Sequence, residues 1–108
     1  MLNNRQHIRV PVQFRTSFST KKQQMIAGDG ELRDLSPGGC RVSSPVAVPV
    51  GTELECCIFP PEGHGNPLIL DGATVRWTGP KEFGVEFTNV RVAVQRQVAQ
   101  LLRRRAPL

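Results

Sequence analysis

The stretch Ile8-Arg9-Val10-Pro11-Val12-Gln13-Phe14-Arg15 alternates apolar and polar residues without a break. One face carries Ile8, Val10, Val12 and Phe14, and the other Arg9, Pro11, Gln13 and Arg15. That is the period of a half-buried strand, and Phe18 continues its apolar face. Pro11 donates no ladder hydrogen bond, so the strand is an edge or carries a bulge there. The same period returns at Cys40 and Val42, at Leu54, Cys56 and Ile58, and at Val85 and Phe87. It also runs through Leu68 and Leu70 to Ala73, Val75 and Trp77, with a kink expected near Asp71-Gly72. This phase makes Trp77 a core residue.

Turns are expected at Lys21-Lys22, Gly28-Asp29-Gly30, Asp34–Gly39 and Gly79-Pro80-Lys81, with loops over Pro45–Thr52 and Pro60–Pro67. A short strand through Met25 and Ile26 is expected to continue past Leu32. Pro37 and Gly38 suit the two central positions of a type II turn. After Phe87 the period changes. Val90, Val94, Val98, Leu101 and Leu102 fall at helical spacing, with Arg96, Gln97, Gln100, Arg103 and Arg104 opposite and Asn89 able to cap the start. The reading is a mainly all-β chain: six or seven antiparallel strands closed or nearly closed into a small barrel, then one C-terminal α-helix.

Composition agrees. Ten glycines and nine prolines in 108 residues exceed the ~12% average and suit many tight turns. The length suits one domain over residues 1–108. The net charge of +5 is unevenly placed: basic residues without acids fill 1–22 and 91–108, and all nine acids lie between. A localised anion site or a solvated basic tail fits this better than a uniformly nucleic-acid-coating surface. No apolar run approaches the ~18 residues of a membrane span. Arg5, His7, Arg9 and Pro11 stand where a secretion signal needs an apolar segment, so a cytoplasmic setting is expected. Cys40, Cys56 and Cys57 are odd in number, and adjacent cysteines make no ordinary bridge, so reduced thiols are expected, with Cys56 and Cys57 facing opposite ways. No Cys/His spacing suggests zinc, and His7 and His64 have no ligand partners at useful spacing.

Two features carry chemistry. Arg5 and Arg9 lie four apart at the entrance to the first strand, and each offers the planar fork that suits phosphate oxygens and the O6/N7 edge of guanine. Asp34-Leu35-Ser36-Pro37-Gly38-Gly39 places a carboxylate and a hydroxyl around a tight turn. A carboxylate can accept from two adjacent N–H donors on a guanine edge, and turn amides can hold an anion. Each feature alone also describes solvated charge or a locally hydrogen-bonded turn.

In order and spacing the two features resemble the PilZ domain family, marked by Arg-x-x-x-Arg and then Asp/Asn-x-Ser-x-x-Gly. Arg5, Arg9, Asp34, Ser36 and Gly39 match all five positions. Gly38-Gly39-Cys40, Val48-Pro49-Val50-Gly51-Thr52 and Phe83-Gly84-Val85-Glu86-Phe87 extend the likeness over roughly residues 4–104. The resemblance implies a six-stranded antiparallel β-barrel with a C-terminal helix, here a barrel over about 8–88 and a helix over about 90–105. It implies a non-enzymatic receptor for the second messenger cyclic di-GMP. Arg5 and Arg9 would grip guanines and phosphates, Asp34 and Ser36 would bond a guanine, and Gly38 and Gly39 would let the ligand lie against the turn. Gln6, His7, Arg33, Arg76 and Trp77 would stand at the periphery. The segment of about 1–8 is expected to be mobile until ligand orders it, and a protein partner or larger host chain would take the output. No cofactor, metal or nucleic acid is expected. The alternative is a small barrel that binds single-stranded nucleic acid or acts as an adaptor; exposed aromatic platforms would favour the former.

Overall fold

The computed structural model describes residues 9–21 and 26–105, so the expectations for Arg5, Gln6, His7 and Met25 lie outside the described residues. Six strands form: β1 Val10–Thr20, β2 Ala27–Ser36, β3 Gly39–Ser43, β4 Glu53–Phe59, β5 Leu68–Gly79 and β6 Glu82–Phe87. They close into a barrel in the order β1-β2-β3-β6-β5-β4, every pairing antiparallel. Helix α1, Val92–Arg105, follows.

Alternation builds the interior. Phe14, Leu32, Cys40, Val42, Leu54 and Val75 are among the buried residues that fill the barrel. Phe18 and Phe83 meet edge to face at 5.1 Å. Thr16, the polar residue among β1's inward positions, is 2% exposed and donates its hydroxyl to the Cys57 carbonyl at 2.8 Å. That bond removes the cost of a buried unpaired hydroxyl. Val94, Val98 and Leu101 seal α1 against the barrel. Cys56 faces in and Cys57 faces out, as expected. Burial pushes the Cys56 thiol up to about 12 and raises Cys40 well above its ordinary value.

Glycines Gly28 and Gly30 correct the expected turn: both lie inside β2. A Cβ at Gly28 would stand 2.7 Å from Val46 Cγ2, and one at Gly30 would stand 2.5 Å from the Ser43 carbonyl oxygen. They mark close approach of neighbouring groups, the second meaning of glycine in a strand. The helix start is also corrected. Gln95 donates its backbone N–H to the Arg91 carbonyl at 2.9 Å, so Arg91 takes the cap position. Asn89 instead adopts a left-handed φ of 52° at the elbow between β6 and α1, a conformation asparagine tolerates better than most residues.

Bulges decide which side chains reach the outside. In β1 one follows Pro11, where β1 has not yet met β4. The expected kink at Asp71-Gly72 is a bulge opposite Glu55. A third centres on Arg33: Leu32 pairs with Val42 and Asp34 with Arg41. Leu32 and Leu35, three apart, are therefore both fully buried, and Asp34 turns outward. A fourth at Arg76 reverses the phase after Val75. Trp77 consequently lies on the outer surface, 38% exposed, and not in the core as its spacing from Val75 had suggested.

Candidate ligand-binding site

The hairpin Ser36-Pro37-Gly38-Gly39 joins β2 to β3 with Ser36 opposite Gly39. The Ser36 hydroxyl accepts from the Gly38 and Gly39 amides at 3.2 and 3.1 Å and donates to the Gly39 carbonyl at 3.2 Å. Ser36 is 5% exposed, so its hydroxyl is engaged within the turn. Gly38 does not take the positive φ that a type II turn demands at its third position, so that expectation is corrected. The hydroxyl closes the loop instead. At Gly39 a Cβ would collide with the Val85 carbonyl oxygen, so β6 itself requires this glycine. The Gly38 carbonyl accepts from the Phe87 amide at 2.9 Å, tying the turn to the end of β6.

The turn fixes the register that aligns the outward charges. Pro11, Asp34, Arg41, Gly84 and Trp77 occupy successive positions across β1, β2, β3, β6 and β5. Asp34 is the hub. Its Oδ1 accepts from Arg9 Nη1 at 2.7 Å, and its Oδ2 accepts from Arg41 Nε at 3.1 Å. Arg41 Nη1 reaches Glu82 Oε1 at 3.0 Å. These hydrogen bonds, that to Asp34 foremost, raise the Arg41 guanidinium above its ordinary pKa. Arg9 Nε is buried without a partner among the described residues. The Asp34 side chain is 15% exposed, that of Arg9 25% and that of Arg41 39%. This gives a rim of guanidinium donors around a carboxylate, partly in solvent, able to offer donors and acceptors to a planar polar edge. Gly84 leaves room for the Trp77 indole to lie over β6, where a Cβ would strike it.

The structure therefore brings Arg9, Asp34 and the turn of Ser36, Gly38 and Gly39 together. The peripheral candidates divide. Trp77 shares the outward row. The Arg33 guanidinium pairs with Glu31, and Arg76 pairs with Glu86 at 2.6 Å. Arg5, Gln6 and His7 lie outside the described residues. Sequence reading missed Arg41 and Glu82. The signal for Arg41 was available: inward Cys40 and Val42 flank it, and a two-residue hairpin places it opposite Asp34.

Among the described residues no group of His, Cys, Asp or Glu is arranged to hold a metal ion, and no helix is long and apolar enough to cross a membrane. Comparison with curated protein sequences gives no significant match. Solved structures share the fold. The PilZ domain of CeSA from a cellulose-synthesizing bacterium is 22% identical, with TM-score 0.69, over 87% of this chain and 93% of that one. The PilZ domain with c-di-GMP of YcgR from Escherichia coli is 16% identical, with TM-score 0.74, over 95% and 92%. The Bacillus subtilis inhibitor of motility MotI/DgrA is 18% identical, with TM-score 0.73, over 95% of this chain, which spans only 52% of that protein's length. The sequence profile of the PilZ domain matches residues 3–104, nearly the whole chain. By that match, and with the five signature positions in place, the chain belongs to the PilZ domain family.

Proposed function

We propose that the chain is a receptor module for cyclic di-GMP, acting by binding rather than catalysis and changing conformation or partner contacts when the messenger binds. The observation that carries this reading is the Arg9–Asp34 pair: the two signature motifs, 25 residues apart in sequence, meet at 2.7 Å on one outward face. Cyclic di-GMP offers two anionic phosphates and two guanines. Arg9, with Arg5 from the same motif, suits phosphates and the guanine O6/N7 edge. Asp34 suits the N1 and N2 donors. Ser36, Gly38 and Gly39 complete the proposed site by holding the turn against which the ligand lies. The YcgR domain, whose fold this chain shares, has a structure with c-di-GMP, which supports the assignment. The proposed setting is a bacterial cytoplasm, with a protein partner or a larger host chain carrying the output.

The nucleic-acid alternative has less support. Phe14, Phe18, Phe83 and Phe87 are buried, leaving Phe59 and Trp77 as the exposed aromatics among the described residues. That is a sparse stacking platform.

Calorimetric titration with cyclic di-GMP, GTP and an oligonucleotide tests the reading. Selective binding of the cyclic dinucleotide is expected. Arg9→Ala or Asp34→Ala each removes charge-assisted contacts worth roughly 1.5–3 kcal/mol, an affinity loss of about ten- to a hundredfold. Tight oligonucleotide binding with a steep salt dependence that survives both substitutions would favour the alternative. No binding of any of the three would favour an adaptor.

A further inference from the structure

Arg41 belongs to neither signature motif, yet it is the most constrained guanidinium on the outward row. Two of its three nitrogens are held: Nε by Asp34 Oδ2 at 3.1 Å and Nη1 by Glu82 Oε1 at 3.0 Å. The two carboxylates come from different strands, β2 and β6, on either side of β3. Together they fix the plane of the fork. Nη2 is engaged by no described residue, and the side chain is 39% exposed. A guanidinium held in this way presents its remaining donors in one direction at little further entropic cost. Glu82 is half exposed, so its pair with Arg41 adds ~1 kcal/mol or less to stability. Stability is therefore a weak reason for this three-residue arrangement.

A guanine presents O6, N1–H and N2–H in a row: one acceptor, then two donors. If Asp34 accepts from N1 and N2, the O6 atom falls beside the carboxylate, where a donor is needed. Arg41 is the donor bonded to Asp34 Oδ2, so a guanine whose N1–H meets that oxygen sets its O6 toward Arg41. An adenine turned to the same place offers an unprotonated N1 to the carboxylate and an amino group to Arg41, so both contacts become repulsive. Building on the receptor reading above, we infer that Arg41, set by Glu82, is a specificity-determining ligand contact that reads guanine O6 alongside Asp34.

Binding of cyclic di-GMP and cyclic di-AMP to the unchanged chain, Arg41→Ala, Arg41→Lys and Glu82→Gln tests this by calorimetry, with thermal melts confirming the fold. Arg41→Ala is expected to weaken cyclic di-GMP about tenfold, the scale of one good base-edge contact, without weakening cyclic di-AMP. Arg41→Lys keeps the charge but loses the fork, and is expected to recover only part of the affinity. Glu82→Gln is nearly isosteric and should fold even if an Arg41 variant does not; it is expected to lose cyclic di-GMP affinity in the same direction by a smaller factor. Unchanged cyclic di-GMP affinity in Arg41→Ala, full rescue by lysine, or equal losses for both dinucleotides would each overturn the role of Arg41 while leaving the receptor reading intact. Failure of the unchanged chain to bind cyclic di-GMP at all would overturn the receptor reading, and this inference with it.

Discussion

Gly39 and Gly84 sit in neighbouring strands near the same outward row, and both exclude a side chain, but different atoms enforce it. At Gly39 the obstacle is the Val85 carbonyl, part of a strand that cannot move alone. At Gly84 it is the Trp77 indole, a half-exposed side chain free to swing outward. Gly39→Ala is therefore expected to cost about 1–3 kcal/mol, the range for overpacking a filled site, read from urea unfolding. Gly84→Ala is expected to cost less and to shift the emission of the chain's single tryptophan to the red as the indole enters water. Similar stability losses for the two, or an unmoved emission, would contradict this. The cysteines make a second contrast. Cys40 and Cys56 are buried, whereas Cys57 is partly exposed beside Glu55, with its thiol raised by partial burial and then by that carboxylate. Iodoacetamide on the native protein should modify Cys57 alone, faster as pH rises, because the thiolate is the nucleophile. Mass spectrometry showing alkylated Cys40 or Cys56 before unfolding would refute the placement.

At the scale of elements, bulges and the helix do most of the positioning. The strands were legible because alternation survives wherever pairing is regular. Phe14, Leu54, Cys56, Ile58, Val85 and Phe87 all point inward as their spacing implies. What failed to show failed at irregularities. Trp77 keeps perfect parity with Val75 in sequence, and the extra residue at Arg76 that turns it outward depends on the register of β6, which lies beyond any local pattern. The Gly28-Asp29-Gly30 run looks like a turn because its glycines respond to Phe18, Val46 and Ser43, groups distant in sequence. Of the site, Arg9, Asp34 and the Ser36–Gly39 turn were readable from their motifs, and Arg41 was reachable through the two-residue hairpin that sets it opposite Asp34; Glu82 needed the non-local pairing of β3 with β6. Asn89 missed its capping role because two residues still separate it from the first turn of α1. The helix itself rests on Val94, Val98 and Leu101. Leu101→Ala, at 4% exposure, should cost about 2–5 kcal/mol in chemical denaturation. A loss well under 1 kcal/mol would mean that α1 is not sealed to the barrel.

For the whole molecule, the two interior thiols set a limit on alkaline stability. Cys56 is pushed from an ordinary 9.0 to about 12 by burial, and then by Cys57 and Glu55. Cys40 is raised in the same direction, chiefly by burial. In the unfolded chain these thiols lose their protons near the ordinary value, so above it the unfolded state binds fewer protons than the folded one. Their contribution is thus full below about pH 9 and is lost as pH climbs toward about 12. Urea midpoints should fall across that interval, and replacing Cys56 with alanine should flatten the fall although it lowers stability at neutral pH. An unaltered slope would contradict the assignment. The charge distribution gains meaning at the same scale. The acidic middle of the chain is not merely a counterweight to basic ends, because Asp34 within it binds Arg9 from the first basic segment and organises the outward row. Mapping amide chemical shifts as cyclic di-GMP is added tests the central claim most directly. The account predicts that the largest changes cluster at Arg9, Asp34 to Gly39 and Arg41, on one face of the barrel. Changes centred elsewhere, or none at saturating ligand, would contradict it.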